Sequence, residues 1–259
     1  MSTPGIPESA GAAATFELPD PPEPTPQPAI WLVGVDADGS EAVRLRLGHG
    51  DDPVPSLRSA GFVATQPISA EGVGTPHTLT LRYAGHRTTA AGPPSAGPAH
   101  TPTDAGLTRA AGEVAVPFQR VAVYAVVRSE RGVLLAQNSA RTNAEGTWGL
   151  PGGGLDPGEL PEAALHREVW EETGHEIVVD GLRAISTNHW VGRAPYGRLE
   201  DFHAVRLVFD ATSPDPADPV VHDVDGTTAA AAWFRPVELR TLPVTRTWRA
   251  LLGELAAGH

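Results

Sequence analysis

The feature that most constrains this 259-residue chain is a glycine-rich segment, residues 152–175, that runs directly into a helix-forming stretch. The segment reads GGGLDPGELPEAALHREVWEETGH. Pro161 suits the first position of a helix, because the N–H that proline lacks has no partner there. Residues 161–173 are mostly good helix formers, and Gly174 is a natural C-terminal stop. The sequence therefore predicts a tight glycine loop followed by one helix, Pro161 to Thr173.

Three glutamates of this helix are predicted to lie on one side of it. Glu168, Glu171 and Glu172 are spaced i, i+3 and i+4, and such positions share a helix face. Like charges at this spacing repel one another by roughly 0.2–0.5 kcal/mol per pair. Divalent cations would supply the missing positive charge, and Mg²⁺ commonly bridges protein carboxylates to substrate phosphates. The pattern therefore indicates a divalent-metal site beside the glycine loop.

The same segment resembles the Nudix box. That pattern is Gly, five residues, Glu, seven residues, Arg-Glu, an aliphatic residue, any residue, Glu-Glu, any residue, Gly and an aliphatic residue. Its fixed positions fall here on Gly153, Glu159, Arg167, Glu168, Val169, Glu171, Glu172 and Gly174. His175 departs from the pattern, because it stands where an aliphatic residue is expected. The resemblance covers about residues 118–259.

The resemblance implies metal ligands and a reaction. The expected ligands are Glu168, Glu171, Glu172 and the backbone carbonyl of Gly152, holding Mg²⁺ or alternatively Mn²⁺. The metals would neutralise diphosphate oxygens and activate a water that attacks phosphorus. The implied function is a metal-dependent pyrophosphohydrolase that cleaves a diphosphate linkage in a nucleoside diphosphate-X type small molecule.

The resemblance also implies catalytic roles, for the residues Glu168, Arg167, Glu159 and Glu171. Arg167 is expected to pair with Glu159 and to orient Glu168 or Glu171. A neighbouring carboxylate would take the proton of the attacking water, and Glu168 is the first choice for that base.

Residues outside the box are candidates for further roles. For a second acid they are Asp223 and Asp225, which precede Trp233, and Glu200 with its neighbour Asp201. For substrate binding they are Trp190, Tyr196 and Arg198, with His189 and His203 as further candidates for a ring pocket. Each of these residues also has an ordinary structural explanation as a turn, packing or surface residue.

Two questions stay open at this point. Subfamily marks that would narrow the substrate are missing, so we expect a small-molecule diphosphate, a nucleotide by default. A competing hypothesis is a Nudix-fold nucleotide-sensing or binding module whose N-terminal unit contacts a partner. Retention of all three box glutamates favours the enzyme, because a sensor has no need of them.

The fold predicted is α/β, a Nudix-type α/β/α sandwich with a mixed sheet, preceded by a small α+β unit of ββαββ order. Composition shifts suggest four parts. They are a disordered leader at 1–28, the small unit at 29–84, a Pro/Gly/Ala-rich linker at 85–117 and the Nudix domain at 118–259.

Composition excludes several classes of function. The chain has no cysteine, which excludes disulfides and thiolate metal sites. Its formal net charge of -12 disfavours nucleic acid as a partner, because such binding depends on cations that neutralise phosphates. No apolar stretch is long enough to cross a membrane, so we expect a soluble, cytoplasmic protein. Its oligomeric state is left open, a homodimer being one option.

Overall fold

The computed structural model describes residues 27–75, 77–90, 102–194, 197–223 and 226–257. The expected leader up to residue 26, residues 91–101 of the expected linker, and the candidates Tyr196 and Asp225 lie outside the described residues. Among the described helices, none has the length and apolar character needed to cross a membrane.

The N-terminal unit is a four-stranded sheet with one short helix. Its elements are β1 (Ala29–Val35), β2 (Glu41–Arg46), α1 (Pro53–Ser59), β3 (Phe62–Gly74) and β4 (His77–Arg87). The strand order is β2-β1-β4-β3, with β1 and β4 parallel and the other pairs antiparallel. Asp52 caps α1 by accepting the N–H of Val54. The predicted ββαββ order is the order observed.

The second sheet is mixed, as predicted. Its strands are β5 (Val116–Ser129), β6 (Gly132–Asn138), β7 (Trp148–Gly149), β8 (Gly152–Gly154), β9 (Val178–Arg193), β10 (Leu199–Thr212) and β11 (Thr228–Phe234). The main order is β11-β6-β5-β10-β9, with β5 and β10 parallel. The helices are α2 (Pro161–Thr173) and α3 (Arg246–Ala257), with a 3-10 turn at Glu238–Arg240 between β11 and α3.

Strand β9 differs from the sequence expectation. Asp180-Gly181 has the composition of a turn, which favours a break in the strand at that point. Instead β9 is continuous, and its pairing with β10 slips twice, leaving Asp180 and Arg183 without a facing residue. These are β-bulges, which absorb an extra residue and bend a strand without ending it.

The two faces of the large sheet are covered differently. Odd-numbered residues of β5, from Val121 to Val127, pack with Leu165 of α2. Val126, on the other face, packs with Leu252 of α3. Buried residues of the N-terminal sheet and α1, including Leu57, belong to the same apolar core as α2. The N-terminal unit therefore forms part of one layer of the sandwich.

Polar contacts also join the N-terminal unit to the rest of the chain. His77, at the start of β4, accepts the N–H of Gly158 at 3.1 Å and its other ring nitrogen lies 3.2 Å from the carbonyl of Glu159. The hydroxyl of Thr187 donates to Asp52 at 3.0 Å. These contacts attach the unit both to the glycine loop and to β9.

A shared core predicts one cooperative unfolding transition. Leu57→Ala should lower the unfolding free energy by roughly 2–5 kcal/mol, because it empties a buried site. The loss should move the whole transition, followed in urea by tryptophan fluorescence and by far-UV circular dichroism. Val54→Ala is the matched control, since Val54 lies in the same helix and is 46% exposed. Two separate transitions, with only one moved by Leu57→Ala, would contradict the shared core.

Candidate active site

The glycine loop and α2 are held against the sheet by short strands and by burial. Residues of β8 pair with Ala122–Tyr124 of β5, so the loop begins as an edge of the sheet. Helix α2 buries Leu165 and Val169, and Gly174 ends it with a left-handed φ of 71°. Burial of that apolar face fixes the rotation of the helix about its axis. Its acidic side chains are thereby directed at the glycine loop.

Arg167 is the hub of this arrangement. It donates two hydrogen bonds to the carboxylate of Glu159, from Nε and Nη2, each of 2.9 Å. Its Nη1 donates to Glu168 at 2.9 Å and to Glu171 at 3.2 Å, and Nη2 also reaches the carbonyl of Gly154 at 3.1 Å. The bonds from Arg167 lower the pKa of Glu159. The pairing expected between Arg167 and Glu159 is present, and Arg167 contacts both glutamates that it was expected to orient.

Glu172 is buried and fixed at both of its oxygens. One accepts the N–H of Gly152 at 2.8 Å and the other accepts the hydroxyl of Thr228 at 2.7 Å. The residue is only 8% exposed, and burial raises the pKa of its carboxyl to about 7. A buried carboxylate at this position is costly unless positive charge lies nearby.

Glu168 and Glu171 occupy different environments. Burial raises the pKa of Glu168, whose carboxylate lies so close to Gly153 that a Cβ there would meet it at 2.4 Å. The glycine is therefore required for the close approach of helix and loop. Glu171 is the most exposed of the three, with a side-chain exposure of 40%. Two largely buried carboxylates and a third that is more exposed suit a hard divalent cation, which prefers oxygen ligands.

The three glutamates line one polar cleft of about 470 Å³. Its walls come from β5, β6, β8, α2, β11 and α3, and outside the box they include Arg120, Tyr124, Gln137, Asn138, Thr228 and Trp248. This volume is typical of small-molecule sites. Among the described residues that line the cleft, Arg120 carries the positive charge. Its guanidinium lies against Gly154.

The candidates for a second acid fall in different places. Asp223 lines the cleft, and its carboxylate accepts the N–H of Thr227 at 2.9 Å and that of Thr228 at 3.3 Å. Glu200 is buried in β10 and pairs with Arg198 at 2.7 Å. Within the described residues, Asp223 is thus the candidate that shares the cleft with the box.

The candidates for substrate binding that the structure describes lie away from this cleft. Trp190 packs on Phe202, with ring centroids 4.5 Å apart, and Arg198 lies over the ring of Phe118 at 5.8 Å. Neither is among the described residues that line the cleft. His203 is fully buried, and burial lowers its pKa to about 4. Packing within the β9–β10 sheet accounts for these residues.

Sequence reasoning missed several lining residues, notably Arg120, Tyr124 and Trp248. A signal for two of them was present, since Arg120 and Tyr124 are four apart on β5 and therefore share a face. Trp248 belongs to the buried face of α3, where it is 8% exposed. Nothing in its spacing indicates that this same ring also borders the cleft.

His175, the departure from the box pattern, is buried against Trp233, with ring centroids 5.3 Å apart. Its nitrogens lie 2.9 Å from the carbonyl of Thr173 and 3.2 Å from that of Ala217. The ring therefore fills the aliphatic position while finding polar partners at its edge.

Comparison with known proteins agrees with this geometry. Residues 118–252, just over half of the chain, match the NUDIX domain. The chain is 47% identical over 72 residues to a MutT-like protein from Streptomyces ambofaciens, a match that spans 28% of this chain and 45% of that relative. It is 29% identical over 139 residues to the nucleoside triphosphatase NudI of Klebsiella pneumoniae, spanning 52% of this chain and 96% of that protein.

Among solved structures, the MutT protein of Methanosarcina mazei aligns over 56% of this chain and 98% of its own, with 22% identity and a TM-score of 0.43. With the box residues gathered at one cleft and the domain match spanning them, this chain belongs to the Nudix hydrolase family and is a Nudix-type pyrophosphohydrolase.

Proposed function

We propose that this chain hydrolyses a diphosphate linkage of a nucleoside triphosphate, or of a related nucleoside diphosphate derivative, with a divalent cation as cofactor. The observation that carries the proposal is the meeting of Glu168, Glu171 and Glu172 at one polar cleft. The curated relatives support the substrate class, because those that match at 29–31% identity are named nucleoside triphosphatases.

Mg²⁺, or Mn²⁺ in its place, would be held by the three glutamates and the carbonyl of Gly152. When bound, the cation would set positive charge against the diphosphate oxygens and make water more acidic. The donor set fits such an ion, because every donor is an oxygen and Glu172 is buried where a nearby cation would stabilise its charge.

The residues of the chain have the following roles in the proposed reaction. Water attacks phosphorus, a new P–O bond forms, and the bond to the bridging oxygen breaks. Glu168 takes the proton of the attacking water, since its carboxylate lines the cleft in which the diphosphate would lie. Arg120 is exposed in the cleft and would donate hydrogen bonds to phosphate oxygens. Arg167 keeps Glu168 in place throughout.

A nucleotide sensor is the second candidate function. It is favoured only if the cleft binds nucleotides without turnover, and retention of all three glutamates opposes it. A panel of nucleoside triphosphates, nucleotide sugars and dinucleotides with Mg²⁺ separates the two. The readouts are release of phosphate, pyrophosphate or monophosphate for the enzyme, and calorimetric binding alone for the sensor.

The first prediction concerns the metal-site glutamates. Glu171→Gln and Glu172→Gln should each lower kcat roughly 100-fold or more, because each removes a negative oxygen that would hold the cation. Glu162→Gln is the matched control, since Glu162 is exposed on the same helix and does not line the cleft. Full activity in both variants, with circular dichroism unchanged, would reject the proposal.

The second prediction concerns pH in the absence of divalent cations. The folded pKa of Glu172, about 7, lies above its ordinary value of 4.5. The stability contributed by the protonated carboxyl is thus complete below pH 4.5 and is lost as pH rises through 7. With about 1.4 kcal/mol per pKa unit, wild type should lose roughly 2–3 kcal/mol relative to Glu172→Gln between pH 5 and pH 8.

Urea unfolding in EDTA at both pH values measures this difference. Added Mg²⁺ should remove most of it for wild type, because the cation favours the charged carboxylate. A difference between wild type and Glu172→Gln that is independent of pH would show that Glu172 is not the titrating group.

The third prediction concerns Arg120. Arg120→Ala should raise KM roughly 10-fold or more, because a charge-assisted hydrogen bond to phosphate is lost. Arg58→Ala, at an arginine of α1 outside the cleft lining, should leave KM unchanged. Equal KM values for wild type and Arg120→Ala would place the phosphates elsewhere in the cleft.

A further inference from the structure

A second group of metal-ligating side chains lies where the N-terminal unit meets the large sheet. His189 on β9 faces His203 on β10 directly, and Asp201 is two residues before His203, on the same face. The loop after β2 brings His49 over this face. The loop lies close to the sheet, since a Cβ on Gly50 would meet the ring of His189 at 2.5 Å.

The donor atoms of His49, His189 and Asp201 all lie within 4.8 Å of one another. One carboxylate oxygen of Asp201 is 2.5 Å from Nε2 of His189, and the other is 3.6 Å from Nε2 of His49. Two ligands that are each about 2.0–2.1 Å from a tetrahedral ion are roughly 3.3 Å apart. The observed distances bracket that value, so side-chain shifts of under about 1 Å would complete the geometry.

Two ring nitrogens here are buried without a partner among the described residues. They are Nδ1 of His189 and Nε2 of His203. His203 is fully buried, its Nδ1 lies 3.1 Å from the side-chain oxygen of Gln119, and its ring centroid is 5.5 Å from that of His49. Buried polar atoms nearly always have a partner, so this group of imidazoles is short of polar partners. The nitrogens that would hold the ion are the ones that face Asp201, Nε2 of His189 and Nε2 of His49.

We propose that His49, His189 and Asp201 bind one divalent transition-metal ion of the zinc class. Two imidazoles and a carboxylate are ligands that Zn²⁺ favours, whereas the glutamates of the cleft form an all-oxygen set suited to Mg²⁺. His203 packs beside the ligands as a third imidazole. The side chain of His49 is 29% exposed, so an ion can enter from solvent and keep water at an open position.

The site would join two parts of the chain. His49 comes from the loop between β2 and α1, whereas His189 and Asp201 belong to the large sheet. An ion held by both adds its binding free energy to folding. The role proposed is structural, and it does not depend on the proposed hydrolase activity.

Zinc titration of the full chain tests the site. The protein is stripped with EDTA, returned to excess Mg²⁺, and titrated with Zn²⁺ by calorimetry, with the thermal midpoint measured alongside. Wild type should bind one Zn²⁺ and gain thermal stability. His49→Ala and Asp201→Asn should weaken that binding at least 10-fold and remove the gain. His86→Ala, at an exposed histidine of β4, should behave as wild type.

Co²⁺ in place of Zn²⁺ gives a second readout, because tetrahedral coordination with imidazole nitrogen gives a far more intense visible absorption than octahedral oxygen coordination. Glu171→Gln should keep this absorption, which separates the site from the cleft. Should Asp201→Asn fail to fold, His49→Ala, which alters a partly exposed loop residue, still decides the matter. Absence of a zinc event in wild type, or an equal event in His49→Ala, would overturn the proposal.

Discussion

The site depends on one guanidinium that holds three carboxylates. Arg167 reaches Glu159, Glu168 and Glu171 at once, and also a loop carbonyl, because its planar group carries five donors in a fixed fork. A lysine could not make this set of bonds. Through it the glycine loop and the helix become one rigid piece. The hydrogen bonds from Arg167 therefore fix the positions of these acidic side chains despite their mutual repulsion.

The three glutamates of the box share a helix face but differ in environment, and this difference affects how readily each one ionises. Glu172 is pinned between the loop and β11, Glu168 lies against Gly153, and Glu171 faces the open cleft. Burial opposes ionisation at the first two. A cation entering the cleft would relieve an electrostatic cost already present in the folded chain, so part of its affinity comes from that relief.

Local features of the chain were predictable, whereas contacts that depend on strand register were not. The helix 161–173 and its glycine stop were predicted to the residue, because proline, propensity and spacing agree there. The ββαββ order also followed from short-range patterns, whereas the mixed sheet was implied by the family resemblance. Trp190 and Arg198 were candidates for substrate binding because of their residue types. Their positions depend on how β9 pairs with β10, including two bulges that the alternation of residue types does not reveal.

Arg120 and Trp248 line the cleft, although the sequence analysis did not predict it. The two residues lie far apart in the sequence. Both line the cleft because β5 and α3 border it. The Asp180-Gly181 pair, in turn, has the composition of a turn but lies within a strand, because sheet pairing outweighs local preference there.

The contact of His77 with residues 158 and 159 has a consequence for how such a chain can diverge. The loop that carries Glu159 both donates a hydrogen bond to His77 and offers it a carbonyl oxygen, and His77 lies in a sheet outside the family match. The N-terminal sheet therefore supports the loop of the Nudix box. Substitutions on the surface of this sheet would leave the contact intact. Shortening or replacing β3 and β4 would remove the support of the loop that carries Glu159. A change in either part of the chain at this contact would therefore affect the other part.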